Sequence, residues 1–430
     1  MLSEQSAPVV RATLPAVGAA IGEITELFYR KLFADRPELL RDLFNRGNQA
    51  SGDQQRALAG SIAAFAGMLL EHPEVRPGAG LARIAHKHAS LGISADQYPL
   101  VHRHLFAAIA EVLGDAVTPE VAAAWDEVYW LMADALIALE TRLYQQAGTS
   151  PEHIWQRMEI VERREETPDA VSFVLRRADG APAGPFRPGQ YVSVRVQLPD
   201  GARQIRQYSL SSAPGDTHWR ITVKRVRGGA GPDGEVSSWL HEHARAGDLL
   251  SVSMPFGDLV LPDGDGPLLL ASAGIGTTPM LSMLAHLAGT GSERPVTVVH
   301  ADRSPAGHAH RQELRELVHA LPQASLHLWY EEPGTAPADG TGSPAGTAAS
   351  GPDAAALAGA ADAAAPVGQV TVSAGPVDVD ALKLPEGLTA YLCGPLPFMR
   401  AVRGDLLRRG VPAASIHYEV FGPDLWLGRP

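Results

Sequence analysis

Two histidines separated by one residue, His86 and His88 in Ile84-Ala-His-Lys-His-Ala-Ser-Leu-Gly-Ile93, are suited to hold a metal ion, since neutral imidazole is a common ligand. The segment reads as a helix. At about 100° per residue, positions 86 and 88 point about 200° apart, so one apolar face can hold only one of them. Leu81, Ile84, Ala85, Leu91 and Gly92 fall on the side of residue 88. His88 is therefore the buried candidate, and His86 is expected to face solvent or a polar rim. A core histidine satisfied by a backbone carbonyl is the competing reading of His88.

Other polar groups point toward the same helical interior. Gln54 extends the apolar stripe of Leu58, Ile62, Phe65 and Leu69 by one turn, Tyr29 lies within the broad apolar face of residues 17–33, and Glu140 interrupts "LMADALIALETRLY" near its apolar side. Tyr98 follows a helix start marked by Ser94 and Gln97 as a capping box. Buried polar groups cost stability unless they are paired or serve a ligand. A second chemistry is offered by Gly274-Ile-Gly276-Thr277-Thr278-Pro279, which follows the apolar run "PLLLASA" and precedes a helix. That arrangement lets a phosphate approach the backbone at a helix N-terminus; an ordinary tight turn is the equal alternative. Cys393 in "TAYLCGP" reads equally well as an inert buried thiol.

The elements that must position these residues fall into three textures. Residues 1–148 have apolar positions at helical spacing and end at Gly148-Thr-Ser-Pro151. From Trp155 to Leu261 the chain becomes short alternating runs, "VSFVLR", "YVSVRVQL", "WRITVKRV" and "LLSVSMPF", punctuated by Gly and Pro. From Pro267 onward apolar strands "LLLASAG", "VTVVHA", "LHLWYEE" and "TAYLCGP" alternate with helical stretches, the pattern of a parallel α/β sheet. Residues 333–368 are almost wholly small and polar, and lack the large apolar side chains that offset ordering entropy.

Composition excludes several classes of function. The net charge of -12 argues against a nucleic-acid or anionic-membrane partner. One cysteine permits no intrachain disulfide, and no basic start followed by an apolar run marks a secretory signal, so a cytoplasmic protein is expected. Leu268 to Ala288 carries no formal charge, but two glycines and Pro279 within it favour a buried strand and turn over a membrane span.

The motifs "ELFYRKLF", "RPELLRDLFNRGNQASGDQQRAL" and "IAHKHASLGISADQY" resemble the globin domain of the bacterial flavohaemoglobins. "RPGQYVSV" followed by "RQIRQYSLSSAP" is similar to the flavin signature of ferredoxin-reductase-like proteins. The resemblance implies three domains: an all-α globin haem domain (1–148), an antiparallel β-barrel FAD-binding domain (151–262) and a parallel-sheet α/β NAD(P)-binding domain (263–430). It implies haem b with His88 as the iron ligand, Phe44 packed on the porphyrin, Tyr29 and Gln54 facing the oxygen side with Leu58 closing the pocket, and Tyr98 with Glu140 as a hydrogen-bonded relay behind His88.

For FAD the same resemblance implies Tyr191, Arg206, Gln207, Tyr208 and Ser209, a phosphate-binding helix opening at Val236 or Ser237, and the terminal Val420, Phe421, Gly422 and Pro423, with Phe421 against the flavin ring and Glu419 close to it. For NAD(P)H it implies Gly274, Ile275, Gly276, Thr277, Thr278 and Pro279, with the Cys393 loop beside the nicotinamide. Lys87 matches a position credited with tuning the cofactor potentials, a surface location being the competing reading for it and for Glu419, and Arg303 either meets a 2′-phosphate, if NADPH is used, or merely faces solvent. Many relatives have Cys where this chain has Val420.

The implied activity is that of a nitric oxide dioxygenase, in which electrons pass from NAD(P)H through FAD to haem and nitric oxide and oxygen become nitrate. A haem–flavin oxidase or alkyl hydroperoxide reductase, and an oxygen or redox sensor reset by its reductase, are the alternatives. The expected partners are nitric oxide, oxygen and NAD(P)H, with no nucleic acid and no integral membrane segment, and the expected state is a monomer.

Overall fold

In a computed structural model of the chain, residues 1–74, 78–228, 232–332 and 370–423 are described. The Ala/Gly/Pro-rich tract at 333–368 and part of the glycine-rich loop before residue 234 lie outside the described residues.

The chain opens with helices α1 (Ser6–Asp35), α2 (Pro37–Asp42), α3 (Arg46–Ala50), α4 (Asp53–Glu71), α5 (Gly78–Leu91), α6 (Tyr98–Leu113) and α7 (Pro119–Gln146). Local chemistry sets several of their ends. Asn45 accepts hydrogen bonds from the Gly47 and Asn48 N–H groups to start α3, and Thr118 with Pro119 in the first turn starts α7. Helix α1 packs on α4, α6 and α7 and buries Val10, Val17, Ile24, Leu27, Phe28 and Leu32. Its length and hydropathy would also suit a membrane span, the one such helix among the described residues.

Strands β1 (Trp155–Thr167), β2 (Ala170–Arg177), β3 (Tyr191–Gln197), β4 (Arg203–Ser209) and β5 (Trp219–Lys224), helix α8 (Glu235–His243) and strand β6 (Leu249–Ser253) come next. The strands form an antiparallel sheet in the order β4-β3-β6-β1-β2-β5, and an isolated Leu210–Ile221 bridge joins the two outer strands into a barrel. Strand β1 is hard to read in the sequence because its register shifts twice, between Ile160 and Glu162 and between Glu165 and Thr167, across a charged run.

The last region runs β7 (Leu268–Ala273), α9 (Thr277–Gly289), β8 (Val296–Asp302), α10 (Arg311–His319), β9 (Ala324–Tyr330), β10 (Val370–Ala374), β11 (Thr389–Cys393), α11 (Leu396–Arg408) and β12 (Ile416–Glu419). All pairings are parallel, in the order β10-β9-β8-β7-β11-β12. The uncharged Leu268 to Ala288 stretch is split between central strand β7, buried at every residue, and the buried face of α9. Edge strand β10 leaves Val370 and Val372 exposed and had no separate signal in the sequence.

Candidate cofactor sites and their geometry

Helix α5 brings His88 against α7, where its Nδ1 lies 2.7 Å from Glu140 Oε1. Tyr98, placed at the start of α6 by the Ser94–Gln97 capping box, donates its hydroxyl to the same oxygen at 2.6 Å. Tyr129 in turn donates to the Tyr98 carbonyl at 2.7 Å. Glu140 is 2 % exposed, so its carboxylate depends on these two donors in place of water. Burial and the Glu140 charge push the Tyr98 hydroxyl well above its ordinary pKa, which keeps it a donor. With Nδ1–H bonded to the carboxylate, the imidazole tautomer leaves the Nε2 lone pair free. The His88 side chain keeps 32 % of its exposure although its Nδ1 edge is covered by a buried group, so the accessible edge is the one that can bind a metal.

Across the interior, Tyr29 on α1 is 5 % exposed and sits among Phe28, Phe33 and Phe44, with ring centroids 4.7, 5.6 and 5.7 Å away. Burial pushes its hydroxyl far above the ordinary range, and Gln54 on α4 is its hydrogen-bonding neighbour. Leu58 packs into the same cluster. An apolar cage with one protonated hydroxyl and one amide on one side and a free imidazole nitrogen on the other is a donor set that fits a haem.

His86 does not face solvent. Its Nδ1 accepts the Gly257 N–H at 2.9 Å, and burial lowers its pKa. The helical period correctly separates it from His88, but the opposite face of α5 is covered by the barrel, which the period of one helix cannot reveal. Lys87 beside it donates to Gln207 Oε1, and burial lowers its ammonium to about 8. Gln207 Nε2 donates to Ser193 Oγ at 2.8 Å, and Ser193 Oγ donates to Ser90 Oγ at 3.0 Å, which closes a polar ring back onto α5. Arg83 adds a bond to the Tyr418 carbonyl at 2.6 Å and lies 4.0 Å over the Tyr418 ring.

The antiparallel register of β3 and β4 sets Tyr191 opposite Ser209, Val192 opposite Tyr208, Ser193 opposite Gln207 and Val194 opposite Arg206. Gly189, in the Pro-Gly-Gln-Tyr turn, is required: at φ +98 an added Cβ would lie 2.1 Å from the Leu259 carbonyl oxygen. Ser209 Oγ is buried with no partner among the described residues, and burial raises the Tyr191 and Tyr208 hydroxyls. An unpartnered buried hydroxyl beside an arginine and two aromatic rings fits a flavin.

The helix expected at Val236 or Ser237 begins one residue earlier, at Glu235. The Ser237 hydroxyl is used to cap, accepting the Val226 N–H at 3.1 Å and donating to the Gly234 carbonyl at 3.1 Å. The helix entrance also holds the Glu235 carboxylate, 2.6 Å from Arg46 Nη2. A phosphate there would meet an acidic side chain.

Strand β7 ends in a 3-10 turn, Gly274–Gly276, before α9. Gly276 also has a packing reason: a Cβ there would lie 2.3 Å from the Cys393 carbonyl oxygen, so the end of β11 fills the space. Gly274, at φ +53, faces open space near Lys224. The Thr277 hydroxyl is buried without a partner among the described residues, Thr278 Oγ1 donates to the Ile275 carbonyl at 3.0 Å, and Pro279 is buried in the first turn. An unpartnered hydroxyl at that helix start fits a dinucleotide phosphate.

Cys393 is fully buried, and burial followed by the Glu419 charge holds its thiol well above its ordinary pKa, so it is no nucleophile. Glu419, opposite Cys393 in the β11–β12 register, is itself pushed up to about 7 by burial and by Asp258. Val420 N–H bonds to its Oε1 at 3.0 Å, while Oε2 is unpartnered among the described residues. Phe421 is 46 % exposed, followed by Gly422 and Pro423 at the end of the described chain. Arg303 is exposed beyond β8.

Sequence reading missed Arg46, Arg83 and Gln204, which tie the globin helices to the reductase. For Gln204 a signal existed: it sits two residues before Arg206, on the same face of one strand.

The comparisons agree with this geometry. A globin family model matches residues 26–136, an oxidoreductase FAD-binding domain matches 157–260, and an oxidoreductase NAD-binding domain matches 270–345. The chain is 40% identical over 433 residues to a flavohaemoprotein of Rhizobium meliloti, covering 99% of this chain and 100% of that one. A flavohaemoprotein of Chromobacterium violaceum is 40% identical, with 98% of each chain covered. Among solved structures, a flavohaemoglobin of Malassezia yamatoensis with bound FAD and haem aligns at a TM-score of 0.82 and 37% identity over 98% of this chain and 100% of that one. The FAD/NAD-binding domain of a nitric oxide dioxygenase from Vibrio cholerae aligns at 0.51 and 33% identity over 62% of this chain and 99% of that one. A globin region followed by FAD-binding and NAD-binding domains thus matches the Rhizobium, Chromobacterium and Malassezia chains along nearly their full length, and the chain belongs to the flavohaemoprotein family.

Proposed function

We propose that the chain is a NAD(P)H-dependent nitric oxide dioxygenase of the cytoplasm that converts nitric oxide and oxygen to nitrate. The observation that carries this reading is the His88–Glu140–Tyr98 triad, whose helix α5 is bonded directly to the flavin strands through Lys87 and Gln207. When bound, NAD(P)H supplies a hydride, FAD separates its two electrons, and haem takes them singly and binds oxygen.

His88 Nε2 would hold the iron. Glu140 accepts the Nδ1 proton in a hydrogen bond, which makes the imidazole a stronger donor and favours oxygen activation over carriage. Tyr98 keeps the carboxylate oriented. Tyr29 stays protonated because its burial disfavours the phenolate, and it presents a fixed donor where negative charge develops in an apolar cage. Gln54 orients that hydroxyl, and Phe28, Phe33, Phe44 and Leu58 exclude water.

On the reductase side, Arg206 would take the flavin diphosphate and Gln207, Tyr208, Ser209 and Tyr191 the ring and ribitol, with Val420, Phe421, Gly422 and Pro423 closing over it. Residues 274–279 would receive the nicotinamide dinucleotide at the start of α9, with the unpartnered Thr277 hydroxyl as the phosphate donor.

The test is decay of nitric oxide with NADH in air and under nitrogen. Rapid loss in air alone, with nitrate as product, is expected. Equal rates in both would overturn the proposal, and hydroperoxide reduction exceeding nitric oxide consumption would point to the peroxidase alternative.

A further inference from the structure

The segment that carries Phe44 is held by the flavin strand. Gln204 on β4 is fully buried, and its Nε2 donates to the carbonyls of Leu40, Arg41 and Phe44 at 3.4, 3.0 and 3.2 Å. Its Oε1 accepts from the Arg46 N–H at 3.4 Å and from Arg206 Nη1 at 3.2 Å. One amide therefore bonds the backbone on both sides of Phe44 and, through its other atom, the arginine of the flavin motif. The surrounding joint is ionic: Arg46 pairs with Asp200 and Glu235 at 2.6 Å each, Arg206 lies 3.8 Å from Glu235, and Arg203 pairs with Asp42 at 2.9 Å.

Inside the globin, the Phe44 ring meets Tyr29 edge-on at 5.7 Å. A continuous set of contacts thus runs from Arg206 through Gln204 and the Phe44 backbone to the Phe44 ring and the Tyr29 hydroxyl. A buried primary amide has few ways to move while keeping five partners, so a shift of Arg206 toward a bound diphosphate must be met at Gln204 Oε1, and the loss of any partner exposes an unsatisfied group.

We propose that Gln204 is a positioning residue that couples flavin binding at Arg206 to the setting of Phe44 and Tyr29 over the haem. The coupling rests on the haem and flavin placement given above. By linkage, FAD changes the affinity of the haem pocket for a diatomic ligand, and that ligand changes FAD affinity by the same factor.

The experiment measures the carbon monoxide affinity of the ferrous haem of the full-length chain, flavin-depleted and then reloaded with FAD, in the absence of NADH. The native chain is expected to change its carbon monoxide affinity about fivefold or more on reloading. Gln204→Met, similar in length without donors, is expected to bring that ratio close to one while leaving the haem spectrum intact. Arg176→Ala, which breaks a surface pair with Glu159 outside this joint, should keep the native ratio.

No FAD dependence in the native chain, or an undiminished ratio in Gln204→Met, overturns the coupling. If Gln204→Met does not fold, Arg46→Ala, which loosens the same joint from its exposed side, decides: a ratio equal to the native one overturns the inference, and a reduced one supports it. A native chain that takes up no haem overturns the site reading itself, an outcome distinct from a haem-loaded chain with no coupling.

Discussion

The pocket behind His88 and the Ser209 and Thr277 positions of the reductase handle buried polar groups in opposite ways. Behind His88, the engaged polar atoms are matched within the protein: Nδ1 and the Tyr98 hydroxyl meet on one Glu140 oxygen, and Tyr129 secures the Tyr98 backbone. At the flavin and nicotinamide positions, the Ser209 and Thr277 hydroxyls and Glu419 Oε2 are buried with no partner among the described residues. An unsatisfied buried polar group costs about 1–3 kcal/mol, so a bound cofactor that supplied the missing partner would recover that cost. On the proposed placement, the protein preorganises His88 to hold iron, whereas its flavin and nucleotide sites would be completed by the cofactors.

The largest effect expected from that contrast is at His88. His88→Ala removes the imidazole whose Nδ1 is engaged by Glu140 and whose Nε2 is left to hold iron, and it should abolish the haem spectrum and nitric oxide consumption while NADH still reduces bound FAD. His86→Ala should retain the haem, because its Nδ1 is committed to Gly257. If residue 86 proves essential for haem and 88 dispensable, the preorganised side has been placed wrongly.

Glu140→Gln keeps the shape of the relay and removes its charge. Loss of a group that orients and polarises a metal-bound histidine costs about 10–100-fold in activity, and that range is expected for nitric oxide turnover at saturating NADH. The stretch of the haem iron–histidine bond in resonance Raman should weaken in the same variant. An unchanged frequency with slowed turnover would mean that Glu140 acts only by packing.

Ser209→Ala probes the other kind of site. Removing a hydroxyl that bonds a cofactor should lower FAD affinity about fivefold, the size of one hydrogen bond. Because the hydroxyl has no partner among the described residues, the flavin-free chain should lose no thermal stability. Tyr98→Phe, by contrast, should lower stability whether or not haem is present, since it strips a donor from a buried carboxylate. Equal stability losses in both variants would erase the distinction between the two ends.

The same distinction explains what could be read from the sequence. His88, Tyr98 and Glu140 were legible because helical period and a capping box place side chains relative to their own helix, and three helices then agree on one interior. The fate of His86 was not legible, since the face opposite His88 is covered by residues 171 positions away. Strand alternation located β2, β3, β5 and β6, but the charged, bulged β1 obscured itself. The glycines of 274–276 are legible as a turn before a helix, but the packing need of Gly276 is not: it makes room for Cys393, a neighbour that parallel pairing through β11 supplies and local sequence cannot. Gln204 and Glu235 were missed because their partners, Phe44 and Arg46, belong to another domain.

The smallest effect, and the one that best sharpens the comparison, concerns pH. Glu419 ionises near 4.5 when exposed and is pushed up to about 7 in the fold by burial and the Asp258 charge. Below about 4.5 the group is neutral in both states and costs nothing. Between 4.5 and 7 the unfolded chain gives up its proton first, so stability falls as pH rises; above 7 the cost is complete and constant. Glu419→Gln removes that slope, and at pH 8 it should be the more stable protein, by no more than about 3 kcal/mol. Thermal midpoints of the reductase unfolding step, taken from pH 5 to about 8 for both proteins, measure it directly. FAD decides what Oε2 is for. If the cofactor site supplies its missing donor, reloading the native chain with FAD should shrink the slope toward that of Glu419→Gln; a slope unchanged by FAD would mean that the protein bears this buried carboxylate alone, and Glu419 would leave the set of groups that a cofactor completes.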